Sequence, residues 1–139
     1  MSFINQSLIT FLSLIFSFQL SFAETWVEIG ADAEALYFID TDSIQWEKES
    51  VRVAKKAVYS KVMTEELGGA KRVFKQTLGI IEIDCKLRIN RVVQIDMLDE
   101  NGVSLWSSGY MRTRPWEKVL KNTHAERTID YVCSDQSAT

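Results

Sequence analysis

Between Ile80 and Leu98 the chain reads IIEIDCKLRINRVVQIDML, and its apolar residues recur at every second position. Ile81, Ile83, Cys85, Leu87, Ile89, Val93, Ile95 and Met97 share one parity, broken only by Arg91. Glu82, Asp84, Lys86, Arg88, Asn90, Gln94 and Asp96 hold the other. A period of two over this length predicts β-structure with one face on a core and one in water. Cys85 falls on the core side. Fully extended, the 17 residues from Ile81 to Met97 would reach about 55 Å, whereas a domain of this size has a radius of gyration of about 13 Å. The stretch must therefore form two strands or one sharply bent strand. Arg88 to Arg91 is the expected break, because Arg91 interrupts the apolar parity and Asn90 tolerates left-handed backbone.

The last 17 residues point to a different period. Thr123 precedes Glu126 by three positions, a capping-box pattern in which hydroxyl and carboxylate satisfy free amides reciprocally. Ala125, Thr128, Ile129, Val132 and Cys133 then follow at the spacing of one helical face. Cys133 thus faces inward from a helix as Cys85 faces inward from a strand. These are the only two cysteines, so one intramolecular disulfide is available, pinning the terminal helix to the sheet. Two unpaired buried thiols are the alternative, disfavoured in an oxidising compartment.

That compartment is read from the N-terminus. Residues 1–23 carry no charged side chain, contain the apolar run LITFLSLIFSF and end Ser21-Phe22-Ala23. Small residues at −3 and −1 fit a signal peptidase, so residues 1–23 are expected to be an export signal cleaved after Ala23. An uncleaved anchor is the other reading, but a span needs about 20 apolar residues and this run is shorter. No cysteine near the cleavage point can accept a lipid. Residues 24–139 are then expected to form one domain. The net charge of −3 and pI of about 5.2 imply neither a nucleic-acid partner nor an anionic membrane surface.

The remaining segments read as short strands and turns. Thr25–Gly30 and Leu36–Asp40 are strands, and Asp40–Ser43 is a turn held by its own Asp and Ser side chains rather than a metal loop. Ile44–Trp46 is a short strand, Glu47–Ser50 a charged turn and Val51–Met63 a long strand. Lys55 and Lys56 interrupt that strand's alternation as a bulge or an exposed edge would. Thr64–Lys71, with Gly68-Gly69, reads as a flexible loop without phosphate-binding spacing. Asn101-Gly102 marks a tight hairpin returning through Val103–Trp106, and Arg112–Trp116 is irregular around Pro115.

No constellation of catalytic type emerges. The single histidine, His124, is expected to be an exposed first-turn residue of the helix. Glu82 and Asp84 share a strand face but are expected to be solvated there. With both cysteines in a bridge, no zinc set remains, and no cofactor or catalytic residue is assigned. One local feature bears on binding. Arg112, Arg114, Lys118, Lys121 and Arg127 make the approach to the helix basic within an acidic chain, and Trp116 lies among them. Such a patch could take a protein partner or an acidic polymer; ordinary solubilising charge is the other reading.

Trp26-Val27, Tyr37-Phe-Ile-Asp40 with Ser43-Ile44, Ile83-Asp-Cys85-Lys-Leu-Arg88-Ile-Asn-Arg91, Asp99-Glu-Asn-Gly102-Val103, Trp116 and a final Val132-Cys133 occur in a recognisable order. That order resembles the surface-adhesin protein E family of Gram-negative bacteria over essentially the whole mature chain. The resemblance implies an α+β fold: a mainly antiparallel sheet of about six strands, with a C-terminal helix tethered to one face by the disulfide. It also implies an exported, non-enzymatic protein of the periplasm or cell surface that binds host or extracellular-matrix proteins. A periplasmic accessory or structural envelope protein with no adhesin role is the alternative.

Overall fold

The computed structural model describes residues 25–134, so the expected export signal lies outside the described residues. Eight strands form a single antiparallel sheet: β1 (Trp26–Ala31), β2 (Ala35–Asp40), β3 (Gln45–Trp46), β4 (Val51–Leu67), β5 (Ala70–Asp84), β6 (Ile89–Leu98), β7 (Ser104–Ser107) and β8 (Glu117–Lys118). The main order is β1-β2-β4-β5-β6-β7, with β3 paired to β4 and β8 to β6. One helix, α1 (His124–Ser134), covers one face. The core between them joins Ile39, Val51, Val53, Ile81 and Ile83 of the sheet to Ile129 and Val132 of α1. Cys85 and Cys133 are bonded, their Cα atoms 5.7 Å apart, at the margin of this core.

The long apolar stretch does fold back, but earlier than expected. The turn is Cys85–Arg88, closed by the Asp84 carboxylate accepting from the Leu87 amide, and Arg88 takes the left-handed φ of 54°. Leu87 is consequently 64 % exposed. The turn also changes the parity. Ile83 pairs with Asn90 and Ile81 with Val92, whereas Gly79 pairs with Ile95 and Thr77 with Met97. Paired residues share a face, so the helix side runs through even positions at the start of β6. A bulge beside Val92 and Val93 then returns it to odd ones. Arg91 therefore faces away from the helix and interrupts no apolar row.

Thr64–Lys71 is not a flexible loop. β4 continues to Leu67 and β5 begins at Ala70, leaving Gly68 and Gly69, at φ 61° and 75°, as a two-residue turn. Two successive positive φ values match the twist of the flanking strands, and glycine reaches them at no steric cost. The irregularity in β4 lies between Val58 and Met63, not at the lysines. The second hairpin is looser than Asn-Gly implied: the Asp99 carboxylate accepts from the amides of Asn101 and Val103 across a five-residue connection. At the start of α1, Thr123 Oγ1 accepts from the Glu126 amide, while Glu126 reaches back to the amide of Asn122 rather than of Thr123.

Candidate functional site

The face of the sheet away from α1 carries a row of charge. Cross-strand register puts Arg52 of β4 opposite Glu82 of β5, and Glu82 opposite Arg91 of β6. Each arginine places Nη2 3.3 Å from a different carboxylate oxygen of Glu82. The connection after β7 folds over the row: the Tyr110 hydroxyl donates to Glu82 Oε1 at 3.2 Å and accepts from Arg52 Nη2 at 3.0 Å. Trp116 lies 4.6 Å from the Arg91 guanidinium, within cation–π range, and Arg91 also donates to the Arg114 carbonyl. Glu82, expected in solvent, is only 6 % exposed. The cause is this cover, which the strand pattern alone does not carry.

Two arginines on one carboxylate leave the row with surplus positive charge. Tyr110 and Trp116 remain 48 % and 38 % exposed above it. Arg112 and Arg114 are exposed in the same connection, Lys118 is exposed on β8 beside Ile89, and Lys121 is exposed in the turn leading to α1. Arg127 does not join them. It is half-buried on α1 against β1, where a Cβ on Gly30 would lie 2.6 Å from its Nε. Sequence reasoning missed Arg52, Glu82, Arg91 and Tyr110 as one cluster. The break at Arg91 was its sole visible sign.

A second cluster lies under α1. Lys55, paired on both sides within β4, an interior strand of the sheet rather than an edge, is 7 % exposed. Its Nζ is 2.6 Å from His124 Nδ1. His124 is not an exposed first-turn residue: its ring stacks on Tyr37, centroids 4.2 Å apart. Burial, followed by the neighbouring Lys55 charge, brings the imidazole down to about 4. It is therefore neutral near pH 7, and Nδ1 accepts from Lys55 when the lysine is protonated. Burial, with the Arg127 charge, likewise brings Lys55 down to about 7. The Tyr37 hydroxyl donates to Asp32 at 2.8 Å, and burial together with that carboxylate pushes the phenol well above its ordinary range. Amide donation from Glu34, the Tyr37 hydroxyl and the Ala35 amide hold Asp32 below the usual carboxylate range.

Among the described residues no group of three His, Cys, Asp or Glu could hold a metal ion, and no helix is long and apolar enough to cross a membrane. No curated protein matches the sequence. Three solved structures of protein E from Haemophilus influenzae share the fold, each at 13 % identity. Crystal form II gives a TM-score of 0.58 over 83 % of this chain and 98 % of that one. A second structure gives 0.57 over 84 % and 96 %. One from a non-typeable strain gives 0.56 over 84 % and 89 %. The family model of surface-adhesin protein E matches residues 26–134, from the first residue of β1 to the last of α1. With the sheet, the terminal helix and the disulfide in place, the chain belongs to the surface-adhesin protein E family, as an exported, non-enzymatic member.

Proposed function

We propose that the protein is a binding protein of the cell envelope that takes an acidic segment of a host or extracellular-matrix protein on the face bearing Tyr110 and Trp116. The observation that supports this reading is the arginine row: Arg52 and Arg91 share one carboxylate beneath two partly exposed aromatic rings. Arginine, tyrosine and tryptophan are the residues that most often anchor protein interfaces. Arg112, Arg114 and Lys118 supply further exposed charge in or next to the same connection, and Lys121 extends it toward α1. On a chain of net charge −3, such a local field speeds encounter with an acidic partner and sets its orientation. The class of partner comes from the family, whose name is that of a surface adhesin. In this reading residues 24–139 are the domain released from an export signal of residues 1–23, with the cell surface as its destination.

The test is Arg112→Glu, Arg114→Glu and Lys118→Glu combined, with binding measured to immobilised extracellular-matrix proteins at low and high salt. All three side chains are exposed and contribute little to stability, so circular dichroism should be unchanged while affinity falls at least about tenfold, the loss of one charge-assisted hydrogen bond. Polyglutamate should compete with the wild type. Unchanged affinity in the variant returns these residues to solubilising charge. Absence of binding by the wild type, with the protein confined to the periplasm on fractionation, makes it an accessory envelope protein.

A further inference from the structure

On the helix side of the sheet, beside the core, lies a cleft of about 170 Å³. Ala57, Ile81, Val92 and Ile95 make it mainly apolar, and Tyr37, Tyr59 and Thr77 complete its walls. Its floor is Gly79, paired with Lys55 on one side and Ile95 on the other. A Cβ built on Gly79 meets no atom closer than 3.8 Å, so the glycine relieves no clash and its effect is to leave space open. Glycine inside a strand weakens it and often marks a place where a ligand approaches the backbone.

At one end of this apolar space stands Lys55, the one lining residue whose side chain ordinarily carries charge at neutral pH. Its ammonium faces a neutral imidazole, the Tyr37 ring at 5.2 Å and, further off, the Arg127 charge. Among the described residues no carboxylate forms an ion pair with Lys55 or with Arg127. Asp32, the carboxylate of the cluster, is committed to the Tyr37 hydroxyl and two amides. A buried cation without a counter-charge is costly. A carboxylate brought into the cleft would remove that cost while its apolar body covers the walls. A cavity of about 150 Å³ holds a benzene ring, which sets the size.

We propose that this cleft binds a small monocarboxylate with a ring-sized apolar body, its carboxylate on Lys55 Nζ and its body against Ala57, Ile81, Val92 and Ile95. This is a site separate from the arginine face, on the other side of the sheet. Carboxylate binding holds the proton on Lys55, so affinity falls as pH rises above neutrality; His124, Arg127, Tyr37 and Tyr59 are the other ionisable groups facing it, and Asp32 acts through Tyr37 and His124.

The experiment titrates the oxidised full domain with benzoate and with its neutral isostere benzamide, following amide shifts by NMR and heat by calorimetry at pH 6 and pH 9. Benzoate should give saturable shifts confined to Tyr37, Lys55, Thr77, Gly79, Ile95 and His124. Benzamide should bind about tenfold more weakly or worse, as expected for loss of a charge-assisted contact. Lys55→Met keeps the apolar stem without the cation, and Gly79→Val fills the floor with the lysine intact. Each should abolish saturable benzoate binding while preserving the wild-type fold by NMR. Equal affinity for benzoate and benzamide, retention of benzoate by either folded variant, shifts mapping elsewhere, or no saturable shift at any soluble concentration overturns the proposal.

Discussion

Lys55 and His124 occupy positions where a protonated group is costly, and that cost sets how stability depends on pH. The unfolded chain holds a proton on lysine up to its ordinary value of 10.5, whereas in the fold Lys55 releases it at about 7. Between these values the unfolded state binds more protons, so stability rises with pH across the window. His124 acts in the same direction lower down: unfolded it protonates at 6.5, folded only at about 4. Its contribution is present above 6.5 and is lost as pH falls toward 4. Chemical denaturation at a series of pH values should show both rises. Lys55→Met should remove the upper one and stabilise the protein at pH 6 by more than about 1 kcal/mol, the worth of roughly one unit of displaced titration. Equal stability of variant and wild type at pH 6, with the upper rise intact in both, would show that Lys55 keeps its charge at no cost.

α1 is an element of 11 residues, marginal alone, and it is held by the buried Ile129 and Val132, by His124 against Tyr37 and Lys55, by the Arg88–Asp130 ion pair and by one covalent bond. Cys85 and Cys133 are 48 residues apart, for which the loop-closure relation gives about 4 kcal/mol, with strain and residual structure lowering the realised value. Cys85→Ala and Cys133→Ala should each cost about 2–4 kcal/mol. Both should speed amide exchange in residues 124–133 before it rises in β4 and β5. Identical exchange in the variants and the wild type would show that the non-covalent contacts of α1 suffice. This element was legible in the sequence, because the helical period, the cap and the cysteine parity are local signals that agree. The arginine row was not. Its existence depends on which residues pair, and the pairing of Glu82 with Arg91 follows from a turn at Cys85–Arg88 that neither glycine nor proline marks. Gly68-Gly69 is ambiguous for another reason: the same two residues make a loose loop or a primed turn, and only the strands around them decide. His124 and Lys55 meet across 69 residues, a juxtaposition no local pattern announces.

At the scale of the whole molecule the sheet has two differently employed faces. One is covered in part by α1 and holds the cleft beside Lys55; the other carries the arginines and the connection bearing Tyr110 and Trp116. The export of the chain gives the last prediction. N-terminal sequencing of the exported protein should begin Glu24-Thr25-Trp26, whereas an intact Met1 in membrane fractions would mean that residues 1–23 are retained as an anchor. Export also bears on how α1 closes the fold. Ile129 and Val132 complete the core over Ile39, Val51, Val53, Ile81 and Ile83, and they are among the last of the described residues to be made. A chain threading outward from its N-terminus therefore delivers the sheet first and its lid last. Until Cys133 arrives, Cys85 has no partner in its own chain, and an oxidant meeting it early would capture a lone thiol. The order of emergence thus leaves the core face of the sheet uncovered, and Cys85 without its partner, for the interval between the two cysteines.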